Sequence, residues 1–381
     1  MKIIHLADLH LGYRSYNKLS PEGLNIREKD VVKTFKEALD KVSELKPDLV
    51  LMAGDIFHKP RPSNSTIYLT IKLLNNFRKN CNAPIVLISG NHESSKSVES
   101  GSILKLLETT IPNVKVVDGQ IEQVVFENLN ASILCIPHNA LYELNKTTLT
   151  PDRGYKYNVL TMHCSYNSVK CPELSKHSSE ELVDSEKING SEWDYVALGH
   201  YHKYTELEEN IYYSGAIERT SSNIWQEAKD PKGFIEYNLE TKKLKFHLLQ
   251  TPRTVVDIKK INADTLTAEE INACIDEEVA KIKDFENSIV RITLDNIDPL
   301  AIRNLNYTKI REYRKKAVHF MLNFIKKDVN PTFDKEGNPV EKRKNLHEAL
   351  DAELNVFELA QGLNQEMFNN LAKDYLKAVS I

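Results

Sequence analysis

Five short apolar runs in the first 202 residues break off into side chains that bind cations. Ile3-Ile4-His5-Leu6-Ala7 gives way to Asp8-Leu9-His10, Leu49 to Ala53 to Gly54-Asp55, Ile85 to Ser89 to Gly90-Asn91-His92, Val159 to Met162 to His163, and Leu198-Gly199 to His200-Tyr201-His202. Seven of these residues, Asp8, His10, Asp55, Asn91, His163, His200 and His202, offer oxygen or imidazole donors. A single ion takes about four to six ligands, so seven is more than one ion wants and about right for two. An aspartate between two cations can lend one oxygen to each, and Asp55 receives that bridging role. Donors of this kind without a thiolate suit manganese, iron or zinc. Two divalent ions about 3.5–4 Å apart can hold and acidify a water while clamping phosphate oxygens, which is phosphoester hydrolysis without a covalent intermediate.

Around these residues stand weaker candidates. His92 directly follows a ligand position, so it should lie near the metals while pointing elsewhere. It is assigned to the substrate, as a catalytic imidazolium that protonates the departing sugar oxygen or offsets charge on the phosphorus. His58, three residues past Asp55, either touches substrate or orients a ligand. Arg61 could contact a phosphate, although a loop arginine is more often solvated. The chain has 12 histidines, and His5, His138, His177, His247, His319 and His347 read as surface or satisfied core residues.

The elements that must position these residues are strands. A run of Val, Ile and Leu that ends abruptly in Gly-Asp or Gly-His reads as a buried strand delivering its last residue to a sheet edge, where open α/β sheets bind ligands. Asp-x-His on an extended chain sends both side chains from one face. Between the strands, helical spacing over residues 26–46 ends at Pro47, and residues 63–78, with Ser63 or Ser65 as cap, form a second crossover helix. A third helix spans residues 103–111, followed by a strand at 114–117 and a hairpin of 124–126 with 131–136. Residues 195–198, 211–213, 234–237 and 244–249 complete a second run of strands, giving two packed sheets with flanking helices. A long polar stretch within residues 151–192 suits a substrate wall. Beyond Pro252, residues 255–258, 268–283 and 289–294 make a small β-α-β unit followed by a helix over 302–316. From Asn345, Leu346, Leu350, Leu354 and Phe357 line one amphipathic helix and Phe368, Leu371, Tyr375 and Val379 another. They pack on their own domain or dock a partner helix.

Composition sets the bounds. With 381 residues, 41% hydrophobic and 27% charged, the chain is globular and long enough for two domains. The sequence carries neither a signal-like start nor a membrane span, which predicts a cytoplasmic protein. Five cysteines, Cys81, Cys135, Cys164, Cys171 and Cys274, lie scattered without a Cys-x-x-Cys pair, against both a disulfide framework and a structural zinc site. A net charge of -4 does not advertise a nucleic-acid binder, so any affinity for DNA must come from local basic patches and the metals. Lys342-Arg343-Lys344 is too short a cluster to supply it.

In this order the motifs resemble the calcineurin-like metallophosphoesterase superfamily, and in particular its DNA-repair nucleases, bacterial SbcD and the nuclease subunit of the archaeal and eukaryotic meiotic-recombination complex. The start Met-Lys-Ile-Ile-His-Leu-Ala-Asp-Leu-His-Leu-Gly is close to that family's opening. The resemblance implies an α/β fold, a four-layer α/β/β/α sandwich over residues 1–251, with a small α+β DNA-capping domain at 252–330. Residues 331–381 would be C-terminal helices that dock the coiled coil of an SMC-like ATPase of the SbcC type. It further implies that Asp8, His10, Asp55 and His202 surround one ion and Asp55, Asn91, His163 and His200 the other, with two manganese ions favoured. It implies a homodimer through the helices near 67–77 and 103–111. The implied activity is 3′–5′ exonuclease and single-strand endonuclease cutting of DNA in double-strand-break repair. Glu93 departs from the Gly-Asn-His-Asp spelling common in the superfamily, which puts its contact with a ligand in question. A phosphatase or small nucleotide phosphodiesterase would use the same metals without needing the chain beyond Pro252. A catalytically silent scaffold would be expected to have lost ligands, and none is replaced.

Overall fold

The computed structural model describes residues 1–93, 102–145, 149–167, 182–326, 354 and 367–372. In chain order β1 (Lys2–Leu6), α1 (Ile26–Leu45), β2 (Leu49–Ala53), α2 (Asn64–Arg78), β3 (Ile85–Ile88), α3 (Leu104–Thr110) and β4 (Val114–Val117) alternate as crossover units. Then come β5 (Glu122–Phe126), β6 (Ala131–Ile136), β7 (Tyr157–His163), β8 (Ser165–Asn167), β9 (Leu182–Asp184), β10 (Tyr195–Gly199), β11 (Thr205–Glu208) and β12 (Ile211–Tyr213). The remaining elements are β13 (Gly233–Asn238), β14 (Lys243–Leu248), β15 (Thr254–Asn262), α4 (Ala268–Ala280), β16 (Ser288–Ile297), α5 (Pro299–Arg303), α6 (Tyr307–Lys316) and β17 (His319–Lys326).

Two six-stranded sheets result, in the orders β14-β13-β1-β2-β3-β4 and β11-β12-β10-β7-β6-β5. Strand alternation decides which face each residue covers. Ile4, Leu6, Val50, Met52, Ile85 and Leu87 pack beneath Val31, Phe35, Leu39, Leu74, Phe77 and Leu107 of the three helices. Their neighbours Ile3, Leu49, Leu51, Ala53, Val86 and Ile88 instead meet Ile133, Val159, Tyr195 and Ala197 of the second sheet. The far face of that sheet, carrying Leu160, Met162, Val196 and Leu198, is covered by Leu144, Val183, Ile188 and Trp193. Among the described residues this outer layer consists of 3-10 turns and the two-stranded β8-β9 sheet. Residues 168–181, from the middle of the polar stretch, lie outside the described residues.

Caps explain where the helices start and stop. Asn25 accepts from the backbone N–H groups of Arg27 and Glu28, and α1 ends at Lys46 with φ 49° before Pro47. Of the two serines that the sequence offered for α2, Ser63 is the cap, taking the Thr66 N–H.

One expectation is corrected. The strands at 234–237 and 244–249 do not extend the second sheet. They form an antiparallel hairpin, β13-β14, whose inner strand pairs with β1 of the first sheet, His5 opposite Ile235. Alternating apolar residues suit either sheet, and only the path of the chain after β12 decides between them.

Beyond Thr251 a parallel sheet β15-β16-β17 carries α4 and α6 over its own core of Ile271, Ile275, Val290, Ile292, Ile310 and Phe320. Strand β17, which the residue pattern alone did not single out, completes it. Among the described residues the C-terminal helices are represented by Leu354 and Met367–Ala372 alone, and Lys342-Arg343-Lys344 falls outside them.

Candidate metal centre

The seven donors come together at the carboxyl ends of β1, β2, β3, β7 and β10, which belong to both sheets. Asp8, His10, Asp55 and His163 are almost completely buried. The ligand atoms of Asp8, His10 and His202 lie within 4.8 Å of one another, as do those of Asp8, Asp55 and His163, and those of His10, His58 and His92. Asp55 Oδ2 is 3.5 Å from His163 Nε2, 3.6 Å from His10 Nε2 and 3.9 Å from His92 Nε2. Asn91 Oδ1 lies 3.0 Å from His163 Nε2 and 3.2 Å from His200 Nδ1.

The convergence is not achieved as the two-residue spacing suggested. Asp8 and His10 do not share the face of an extended strand. Asp8 (φ 51°), His10 (φ 47°), Asp55 (φ 51°) and His200 (φ 109°) all sit just past strand ends on left-handed backbone. Such conformations persist in residues with a Cβ only where the surroundings over-determine them. Here they do: Asp8 N–H donates to Gly54 O at 3.1 Å and His10 N–H to Asp55 O at 2.9 Å. The His200 N–H reaches both Asp8 oxygens, at 3.0 and 3.2 Å, and the His92 N–H donates to Asp55 Oδ1 at 3.0 Å. Gly90 has no alternative, because a Cβ there would lie 2.1 Å from Asp55 Oδ1.

Groups behind the donors decide which nitrogen each ring presents. His163 Nδ1 donates to the Ala53 carbonyl at 2.8 Å, so Nε2 is its inward atom. His202 Nδ1 donates to Glu227 Oε1 at 2.7 Å, turning Nε2 toward His10 Nε2 at 2.9 Å. Lys232, fully buried, forms an ion pair with the Glu227 carboxylate at 3.3 Å and donates to the His202 carbonyl at 2.8 Å. Neither Glu227 nor Lys232 was singled out from the sequence, since neither follows an apolar run or stands near a motif.

Glu93, the unusual residue of its motif, makes its hydrogen bonds to backbone. It accepts from the backbone N–H groups of Phe57 (2.5 Å) and Gly90 (3.0 Å), tying together the loops that carry Asp55 and Asn91. Burial, with the Asp55 charge nearby, raises its pKa to about 8.

The electrostatics describe a site shaped for cations. Burial raises Asp8 above the usual carboxylate range, and burial likewise pushes His200 down to about 3. His163 goes the other way, to about 10: burial opposes its charge, but Asp55 and Asp8 outweigh it. The reason is visible in its contacts. With Nδ1–H given to Ala53, a neutral His163 would turn an Nε2 lone pair on the oxygens of Asn91 and Asp55, acceptor against acceptor. Only a proton or a metal reconciles them, and a metal at such a site displaces the proton. Among the described residues no lysine or arginine nitrogen forms an ion pair with Asp8 or Asp55. Oxygen and imidazole donors with paired carboxylates therefore fit divalent metal ions.

The remaining candidates separate. His92 is 34% exposed at its side chain and hangs from the His58 carbonyl through Nδ1 at 2.9 Å, its ring 4.7 Å from that of His10. His58 lies behind His10, Nδ1 to Nδ1 at 3.3 Å, with its ring edge on Tyr13. Burial and then the neighbouring His92 lower its pKa to about 4. Arg61 is exposed and does not join the donor cluster; it lines a cleft of about 220 Å³ with Arg14 and Lys59. His138, set aside as a bystander, stands with its ring 6.2 Å from that of His163. Cys81 and Cys135 are free and buried, Cys274 is free and Cys164 is buried, while Cys171 lies outside the described residues.

A rim of clustered carboxylate and imidazole donors on a two-sheet α/β sandwich matches a class, the metallophosphoesterases. The family model for calcineurin-like phosphoesterases matches residues 1–204, more than half of the chain, and the protein belongs to this family. Among curated proteins it is similar to the DNA double-strand break repair protein Mre11 of Methanococcus maripaludis, 30% identical over 245 residues, 61% of this chain and 62% of that one. The Mre11 protein of Methanocaldococcus jannaschii is 28% identical over 305 residues, 76% of this chain and 75% of the relative. The SbcD component of the nuclease SbcCD of Staphylococcus epidermidis is 27% identical over 265 residues, 64% of this chain and 67% of the relative. The first of these alignments spans less than two thirds of the relative's length.

Proposed function

We propose that this protein is a two-metal, manganese-dependent DNA phosphodiesterase that acts as a 3′–5′ exonuclease and single-strand endonuclease in double-strand-break repair. The observation that carries this reading is the meeting of seven donors from five separate strand ends, two with their inward atom fixed from behind. In this reading Asp8, His10, Asp55 and His202 would hold one ion and Asp55, Asn91, His163 and His200 the other. Two bound ions supply an acidified water and a clamp on the phosphate oxygens.

The chain's own residues do the rest. His163 and His202 are locked by Ala53 and Glu227 into the tautomer that ligates. His92, accessible and anchored through Nδ1, leaves Nε2 to meet the departing sugar oxygen as its proton donor. His58, packed behind His10, positions that ligand more than it meets substrate. Arg61, with Lys59 and Arg14, provides positive charge for flanking phosphates.

DNA rather than a small ester is favoured by the names of the relatives and by a separate three-stranded unit after residue 251, which a small-molecule phosphatase does not need. That unit, residues 252–330, is proposed as the DNA-capping domain, and residues 331–381 as the docking element for an SMC-like ATPase. A homodimer through α2 and α3, and a cytoplasmic location, complete the reading. Among the described residues no helix is long and apolar enough to cross a membrane.

The test is a manganese-dependent nuclease assay on 3′- and 5′-labelled DNA, comparing the intact chain with His92→Ala. Turnover should fall about 10²–10⁴-fold with manganese occupancy unchanged. Hydrolysis of nucleotide esters without any cutting of DNA would favour the phosphatase, and loss of metal from the variant would give His92 a structural role instead.

A further inference from the structure

The loop that leaves His10 continues away from the metal centre and ends against the small sheet. There Lys18 Nζ donates to the carbonyls of Lys316 and Ala317, each at 2.7 Å, capping the C-terminus of α6. Tyr16, on left-handed backbone with φ 59°, stacks on His319 of β17, ring centroids 4.1 Å apart and planes 18° from parallel. A cleft of about 650 Å³ opens at this junction, lined by Tyr16, Lys18, Arg314, Lys315, His319 and Met321 among others. That size falls in the range of about 300–1,000 Å³ typical of sites for single small molecules, far too small for a duplex.

The cations of the cleft differ in what they do. Lys18 is engaged with backbone carbonyls. Arg314 and Lys315 are exposed, and neither has an ion-pair partner among the described residues. Burial and then the Arg314 charge lower the His319 pKa, which favours the uncharged ring beneath Tyr16. A flat aromatic pair flanked by two unpaired cations matches the chemistry by which splayed bases and their phosphates are held.

We propose that this junction cleft binds an unpaired nucleotide of single-stranded DNA, with the Tyr16–His319 pair as the platform for a base and Arg314 and Lys315 as contacts to the flanking phosphates. The proposal rests on the DNA reading above and deepens it by naming the state of the strand that the second site takes.

The experiment measures binding without cleavage. Fluorescence anisotropy of the full chain in EDTA compares a short labelled single strand with a blunt duplex of the same sequence. The surface variant Arg314→Gln/Lys315→Gln should weaken single-strand binding and flatten its dependence on log salt by about 1.4, at roughly 0.7 per lost phosphate contact. His319→Ala should weaken it about tenfold, as expected for a lost stacking platform. Duplex binding should change less than twofold. A single strand carrying 5-iodouracil should photo-crosslink to a peptide containing Tyr16 or His319. Equal losses on blunt duplex would mean a general basic surface, and no loss in the double variant would leave the cleft a plain junction or a protein contact; either overturns the proposal. Manganese-dependent hydrolysis of bis(p-nitrophenyl) phosphate is read on the same preparations and should survive in every variant. Its absence from the unmodified protein would refute the hydrolase reading while leaving the cleft measurement intact.

Discussion

Two buried clusters of charge in this protein look alike in composition and differ in balance. One is the rim, where Asp8 and Asp55 lie among histidines. The other lies at the start of α1, where Arg27 bonds Asp30 at 2.8 Å, Glu218 at 3.3 Å and the Arg219 carbonyl at 2.8 Å, and Arg253 adds a bond to Asp30 at 3.0 Å. Two arginines face two carboxylates there, and the cluster is closed. Buried carboxylates raise the Arg27 pKa despite the burial that opposes its charge. At the rim the carboxylates have only imidazoles, which cannot all be charged together: burial drives His10 and His200 down while the aspartates draw His163 up. The comparison teaches how to tell a strut from a site. A buried ionic cluster that neutralises itself needs no further charge, and one that does not is suited to a bound cation.

The sharpest way to break this distinction is at Asp55. Asp55→Asn removes the carboxylate on which His10, His92 and His163 all converge. We expect the loss of tight manganese binding by titration calorimetry and a fall in nuclease rate of about 10⁴-fold or more, since the metals' acidification of water goes with them. Near-normal metal affinity would mean that the rim is a strut as well.

Arg27→Met makes the opposite cut, leaving Glu218 and Asp30 buried with less counter-charge. A broken buried pair costs about 3–5 kcal/mol, or roughly 6–20 °C in Tm at about 2–4 °C per kcal/mol. Manganese affinity of the folded fraction should stay unchanged, and a coupled loss of both would erase the contrast.

Between the two stands Glu227, which belongs to the rim by contact and to the strut by its pairing with Lys232. Glu227→Gln should weaken manganese binding about 10–100-fold, the usual cost of losing the group behind a ligating histidine.

The smallest expected effect is its pH dependence in the metal-free protein. Burial opposes the Glu227 charge, but the hydrogen bond from His202 and the Lys232 charge win, holding the carboxylate at about 2 against an ordinary 4.5. Its stabilisation is thus present above 4.5 and lost as pH falls toward 2. His202, raised above 6.5 by the same bond, contributes below 6.5 and loses that contribution as pH climbs through its raised value. The Tm advantage of the unmodified chain over Glu227→Gln, measured by scanning fluorimetry in chelator, should be widest between pH 4.5 and 6.5 and narrow on either side. A difference that grows into the alkaline range would contradict the pairing.

Much of this was legible in the residues. Leu49 to Ala53 followed by Gly54-Asp55 is a buried strand with a candidate ligand beyond it, because alternation and the abrupt change of residue type are local properties of the chain. All seven candidate donors could be picked out for that reason. The sequence could not say that β13 and β14 join β1, that Glu93 pins two loops by their backbone, or that Glu227 reaches back 25 residues to His202. It also could not say that His163 turns Nε2 inward, since the Ala53 carbonyl that holds its other nitrogen lies 110 residues away. Residue type and spacing therefore determined what the donors are. Tertiary structure alone decided which atom each one presents and which buried charges find a partner, because hydrogen bonds and desolvation depend on what distant segments bring within 3 Å.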